Sequence, residues 1–232
     1  MRRVRLDTLT IEQIPEPAPA EGEFLIRPAA IGVTLPVVRM SRRGGPGVLG
    51  GEVAGTVIGL GPGVTGYALG DQVVTLPFTG SYQDVVVAPA AVTSPIPPGA
   101  AVTAVALVRS GHVALAALDS LAAGESVLIT AAASGVGHLA VQLARARASS
   151  GGGTIAAPDL LAGAKTVTGL AMRHFAATHP NLYATHEREL WKLAESGQLR
   201  PAIHAELPLT DAARAHDILE SRQNLGKVVL RP

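Results

Sequence analysis

The residues that most constrain chemistry lie between Thr130 and Ala140, in the run Thr-Ala-Ala-Ala-Ser-Gly-Val-Gly-His-Leu-Ala. Glycine lets a backbone approach a pyrophosphate closely, because a Cβ there would collide with it. The amides that open a following helix then face the negative charge, and the helix dipole adds to the attraction. A glycine-rich turn alone is weak evidence, since glycine also punctuates strands and helices for structural reasons. Here the flanking pattern fits: Ser126–Thr130 is a compact apolar run with the shape of a buried parallel strand, and 138–147 has helical spacing. The segment therefore reads as a dinucleotide-type turn, with Ala133, Ser134, Gly135, Val136 and Gly137 against the phosphates.

Other chemistries are constrained by what the chain lacks. There are no cysteines, which excludes a disulfide framework, a thiolate zinc site and a cysteine nucleophile. Seven histidines remain, His174, His179 and His186 among them, but none has the spacing of a common zinc motif. His186-Glu187-Arg188-Glu189-Leu190 lacks the second histidine of a metalloprotease helix. They read as surface or capping histidines, and no metal is expected. Nineteen basic residues against 18 acidic ones give a formal charge of +1, without the basic face that nucleic acid requires. No run approaches the roughly 18 apolar residues of a membrane helix, and no signal-peptide core follows the basic Met1–Arg5. A soluble cytoplasmic protein is the expectation.

The elements that must position these residues divide the chain in two. Up to about residue 100, short Val/Ile-rich runs (Phe24–Arg27, Val53–Ile58, Gln72–Leu76, Asp84–Ala88) alternate with turn signals such as Gly61-Pro62-Gly63 and Leu69-Gly70-Asp71. That pattern predicts a small barrel or sandwich, closed by Pro95, Pro97 and Pro98. From Val102 the chain turns Ala/Leu/Val-rich with helical spacing to about residue 122. Strand, glycine turn and helix then follow in the order of the first half of a Rossmann βαβ unit. Beyond it, Lys165–Leu170 looks like a strand and 183–196 like an amphipathic helix stopped by Gly197. Ile203–Leu207 reads as a short strand, Leu209-Thr210-Asp211-Ala212 carries a capping residue before a helix over 211–221, and Gly226–Leu230 is a last strand. Aromatics make up only 3% of the chain, so its core is aliphatic, which suits an α/β fold.

Two motifs make the pattern specific. Gly124-Glu125-Ser126-Val127-Leu128-Ile129-Thr130 through Gly137, with Ala140-Val141-Gln142-Leu143-Ala144, resembles the cofactor motif of zinc-independent quinone oxidoreductases, a branch of the medium-chain reductases. Gly50-Gly51-Glu52-Val53-Ala54-Gly55-Thr56-Val57, then Gly61, Gly63-Val64 and Gly70-Asp71-Gln72-Val73, is similar to the signature of that superfamily's GroES-like domain. Asn224–Leu230 resembles its closing strand. The resemblance implies a GroES-like β-barrel over residues 1–110, completed by 206–232, and a shortened Rossmann-like domain over 111–205. It also implies hydride transfer from NADPH to a quinone or an α,β-unsaturated carbonyl, without zinc. In zinc-bearing relatives a ligand histidine precedes the position of Glu52, where this chain has Gly51.

By the same resemblance, Thr34 falls where relatives place polar groups by the substrate, although it could equally be a strand residue. Tyr82 is either a phenol near substrate or a half-buried aromatic covering a turn. Lys227 approaches the cofactor from the closing strand or is an ordinary solvated strand-end lysine. Lys165–Leu170 resembles the edge through which relatives pair as homodimers. The chain departs from the family most after Arg147, where strands and helices of relatives are missing, and at Leu6-Asp7 and Arg39–Gly50. Either the sequence omits residues that the full polypeptide carries or the deletion is real. The acid that reads the adenosine ribose, expected about 20 residues past the glycines, has no strand to carry it; Asp159 there reads as a helix cap.

Overall fold

An 11-residue strand, β3 (Glu23–Val33), organises the first part of the molecule. One edge of it pairs antiparallel with β4 (Val53–Leu60) from Phe24 to Ile31. Its other edge is shared: Glu23–Ile26 pair with β6 (Val86–Pro89), and Ile31–Val33 pair with β9 (Lys227–Arg231). Pro28, which has no N–H to donate, falls in the gap between those partners, at a bulge between Pro28 and Ala30. The sheet continues from β4 to β5 (Gln72–Thr75) and β7 (Thr93–Pro95), and from β9 to β8 (Ile203–Pro208), which lies parallel to it. A separate hairpin pairs β1 (Arg2–Val4) with β2 (Ile11–Gln13). The computed structural model describes residues 1–5, 7–43, 50–77, 80–119, 127, 129–147 and 172–232.

Helices complete the order. α1 is Leu35–Arg43, α2 Ala101–Leu118, α3 Gly137–Arg147, α4 Met172–Thr178, α5 Pro180–Glu195 and α6 Ala212–Ser221. The chain separates into two compact units, one of Met1–Arg109 with Ala202–Pro232 and one of Ser110–Pro201. The first unit's core is aliphatic, with Ile26, Ile31, Val53, Val57, Val73 and Val228 around Phe24 and Tyr82. α6 closes this unit by linking the parallel strands β8 and β9. Gly226 turns the chain into β9 at φ +80°, where a Cβ would stand 2.1 Å from the Ala202 carbonyl oxygen. In the second unit, Gly111 lets the end of α2 meet α5, since a Cβ would lie 2.4 Å from the Leu190 side chain.

Several expectations need correction. Val127, Ile129 and Thr130 are described and none is in a strand; Val127 is 40% exposed. A parallel strand needs neighbours to complete its ladder, and the second unit has no strand among its described residues. α2 ends at Leu118 rather than near residue 122. That helix is in fact long and apolar enough to cross a membrane by length and composition, but 67% of it is buried within the protein, as in a core helix. Asp211 sits at the N-terminus of α6 without making a side-chain cap bond; its carboxylate lies 3.9 Å from Arg214 instead. α1 was not anticipated at all. Ser126, Leu128, Ala148–Gly153, Asp159 and the expected strand Lys165–Leu170 lie outside the described residues.

Candidate functional site

The glycine turn is tight and faces solvent. Ala131 adopts a left-handed φ of 53°, unusual for a residue with a Cβ, and the amide of Ser134 donates to its carbonyl at 2.9 Å. The Ser134 hydroxyl accepts the Gly137 amide at 3.0 Å and so caps α3. The Ser134 carbonyl accepts from the His138 amide and also lies 2.7 Å from the His138 ring. Gly137 is required here for packing: a Cβ would come within 2.2 Å of the Ala131 carbonyl oxygen. Ala131–Ala133 are exposed and Ser134–Val136 half-buried. No backbone acceptor among the described residues takes the amides of Gly135 and Val136. Amides that open an 11-residue helix suit a phosphate oxygen, so the turn fits the pyrophosphate of a dinucleotide.

In the first unit, a cavity of about 170 Å³ opens beside Thr34. Pro36, Val37, Met40 and Leu76 give it apolar walls, and Gly50 and Gly51 contribute backbone. Thr34 is the joint between β3 and α1, not a strand residue, and its hydroxyl is buried without a hydrogen-bond partner. Arg109 also lines this cavity. It is half-buried and makes no ion pair among the described residues. The sequence signal was there to be read, because Arg109 is the one charged residue of the otherwise uncharged α2.

Behind the cavity wall lies a buried polar cluster. Lys227 Nζ donates to Glu52 Oε1 at 2.7 Å, with the side chains 4% and 1% exposed. Lys227 is thus no solvated strand-end lysine: β9 places it under the sheet and its ammonium is committed to Glu52. Burial pulls the Lys227 ammonium below its ordinary range, Glu52 works against that, and Arg109 adds to it. Gly32 leaves room for the pair, since a Cβ there would lie 2.7 Å from both Glu52 Oε2 and Lys227 Cε. The neighbouring Gly51 amide donates to the Ser81 hydroxyl at 2.6 Å.

Tyr82 is fully buried rather than half-buried, with its hydroxyl unpartnered. Burial first, and the Glu52 carboxylate second, push its phenol up. It packs edge-on against His216 and does not line the Thr34 cavity, so the structure separates two residues that the sequence placed together.

The histidines also depart from the surface reading. His112, His138, His186 and His216 are buried. In the second unit His112 stacks on Tyr183 at 3.8 Å, and His186 Nε2 lies 2.9 Å from the Asp119 carboxylate. Burial lowers the His112 imidazole to about 3 and the His216 imidazole to about 4, so both rings are neutral at pH 7. Among the described residues no three His, Cys, Asp or Glu side chains stand close enough to share a metal ion. With Gly51 before Glu52 and no cysteine in the chain, the residues present do not fit a catalytic zinc.

Comparison with known proteins agrees with this architecture. Residues 100–230 match the family model described as zinc-binding dehydrogenase, and 20–98 match the alcohol dehydrogenase GroES-like domain. The chain belongs to the zinc-binding dehydrogenase family, within the medium-chain dehydrogenase/reductase superfamily. It is an α/β protein with a GroES-like N-terminal domain and a Rossmann-like C-terminal portion. At 232 residues it is shorter than is typical there.

Among relatives, bovine prostaglandin reductase-3 is 35% identical over 140 residues, 56% of this chain and 37% of that protein. This chain spans well under half the length of that relative and of the polyketide synthases it also matches. Of solved structures, a mycobacterial protein complexed with NADPH superposes with a TM-score of 0.85 at 24% identity, covering 100% of both chains. The Escherichia coli quinone oxidoreductase complexed with NADPH gives 0.74 at 22% identity, covering 100% of this chain and 99% of the other. At those identities the likeness is one of fold.

Proposed function

We propose that this protein is a zinc-independent, NADPH-dependent reductase of a quinone or an α,β-unsaturated carbonyl. The observation that carries the reading is the 131–137 turn, where the Ser134 hydroxyl caps α3 and the amides of Gly135 and Val136 have no backbone acceptor among the described residues. Phosphate oxygens accept from such amides, and the helix dipole favours their charge. Bound NADPH would supply the hydride. The rest of the chemistry falls to the chain's own groups. The Thr34 cavity is close to the roughly 150 Å³ that holds one benzene ring in an engineered core cavity, a size that suits a quinone ring or a small enone. Its apolar walls exclude water from the reacting carbons. The unpaired Thr34 hydroxyl would donate to a carbonyl oxygen of a ring seated in this cavity. A proton from solvent then completes the reduced product.

Titration with NADPH tests the reading. Saturable binding, followed by NADPH consumption on adding 1,4-benzoquinone, is the expected result. Absence of NADPH binding removes it. One observation favours a second reading, a cofactor-free binding module or redox-neutral enzyme such as a cyclase: Val127, Ile129 and Thr130 are not in a strand, so the turn lacks its usual support. Ligand binding in the Thr34 cavity without NADPH binding would select that alternative.

A further inference from the structure

Arg109 is a half-buried guanidinium in the wall of a ring-sized cavity, without an acidic partner among the described residues. The rest of α2, 18 residues long, carries no charge. The carboxylate behind that wall is already neutralised, because Glu52 holds Lys227 at 2.7 Å. Glu52, Lys227 and Arg109 together therefore leave one uncompensated positive charge at the cavity. Partly desolvated guanidinium groups are stabilised by carboxylates, which they grip through two parallel N–H donors. A neutral quinone or enone would leave that requirement unmet.

We infer that Arg109 is the specificity residue of this cavity and that the substrate carries a carboxylate on or near the ring or enone that the cavity receives. The inference rests on the proposed reductase reading for the reacting group and adds the acidic substituent to it. Arg109 seats the carboxylate, and the apolar walls formed by Val37, Met40 and Leu76 take the ring. The buried Thr34 hydroxyl is left for the carbonyl.

Benzoate and its neutral isostere benzamide separate the charge from the ring, and neither needs cofactor. Calorimetric titration of the whole protein is expected to show benzoate bound roughly tenfold or more tightly than benzamide. Arg109→Gln should bring the two to parity, and Arg109→Lys, which keeps the charge but loses the fork, should retain part of the preference. Far-UV circular dichroism of each variant confirms the fold. Equal binding of the two probes by the unaltered protein, binding of neither, or a preference that survives Arg109→Gln overturns the inference. The outcomes also separate the two claims. Reduction of 1,4-benzoquinone by NADPH without a benzoate preference removes the acidic substrate and leaves the reductase. A benzoate preference without NADPH binding leaves the anion site and removes the reductase.

Discussion

Replacing Lys227 by methionine keeps most of the side-chain volume and removes only the charge. Glu52, 1% exposed, then remains as a buried carboxylate whose Oε1 has lost its donor and whose Oε2 had none to begin with. Breaking a buried pair from one side typically costs about 3–5 kcal/mol, because the orphaned charge stays desolvated. Set against the roughly 5–15 kcal/mol total of an ordinary domain, that is about a fifth or more of the whole. Removing both charges, as Glu52→Met with Lys227→Met, leaves an apolar pair of similar volume, for which the expected change is near zero or favourable. Urea unfolding followed by far-UV circular dichroism at pH 7, with all four members of the cycle, measures both quantities. The reasoning fails if Lys227→Met alone costs less than about 1 kcal/mol, as an exposed pair would, or if the double variant is as unstable as the single one.

Three further outcomes follow from the geometry. His216 is buried and lowered to about 4 from 6.5, so the unfolded chain binds the proton first; stability is complete above pH 6.5 and declines as the pH falls toward 4. Between pH 7 and pH 5 this histidine accounts for roughly 2 kcal/mol, and His216→Asn should shrink the drop in unfolding free energy by about that amount; an unchanged drop refutes it. Gly137→Ala forces a Cβ to within 2.2 Å of the Ala131 carbonyl oxygen, so the turn must open. NADPH affinity, read by titration, should fall by roughly tenfold or more, and an unaltered affinity would show that the turn does not hold the cofactor. Thr34→Val removes a buried hydroxyl that has no partner, so stability should hold or rise slightly. Enone turnover by the same variant should fall by roughly tenfold through kcat; a loss confined to KM would assign Thr34 to binding alone.

What the sequence disclosed depended on how local the cause was. β4 and β5 were legible because Val/Ile runs bounded by Gly61-Pro62-Gly63 and Gly70-Asp71 leave few other conformations. α1 escaped because Val33–Val38 reads equally well as a strand, although Pro36 near the helix start was a usable signal. Val127, Ile129 and Thr130 show the converse error: their apolar run has strand composition, but a parallel strand exists only through its neighbours. Lys227 was misplaced for a similar reason. Its partner Glu52 is 175 residues away, and the pairing of β3 with β9 is what joins the two stretches. Tyr82 reads from sequence as a phenol near substrate or a half-buried aromatic, and the histidines as surface or capping residues, because polar residues usually lie near solvent; burial is decided by packing that no short window contains. Arg109 was legible and overlooked, a lone charge in an apolar helix.

The buried pair and the free arginine are coupled, and the coupling gives a last test. Lys227 neutralises Glu52 behind the wall of the cavity that Arg109 lines. In Lys227→Met the uncompensated carboxylate lies behind the cavity wall, and its field opposes any anion seated on Arg109. Benzoate should then lose its advantage over benzamide, with the ratio falling several-fold toward one. In the double variant Glu52→Met with Lys227→Met the carboxylate is gone, Arg109 again stands alone, and the preference should return. A merely structural role for the pair predicts a different pattern: both variants would disturb benzoate and benzamide alike, with the ratio unmoved. Measuring the two probes on both variants therefore decides whether Glu52 and Lys227 only hold β3 to β9 or also set the charge that the cavity presents.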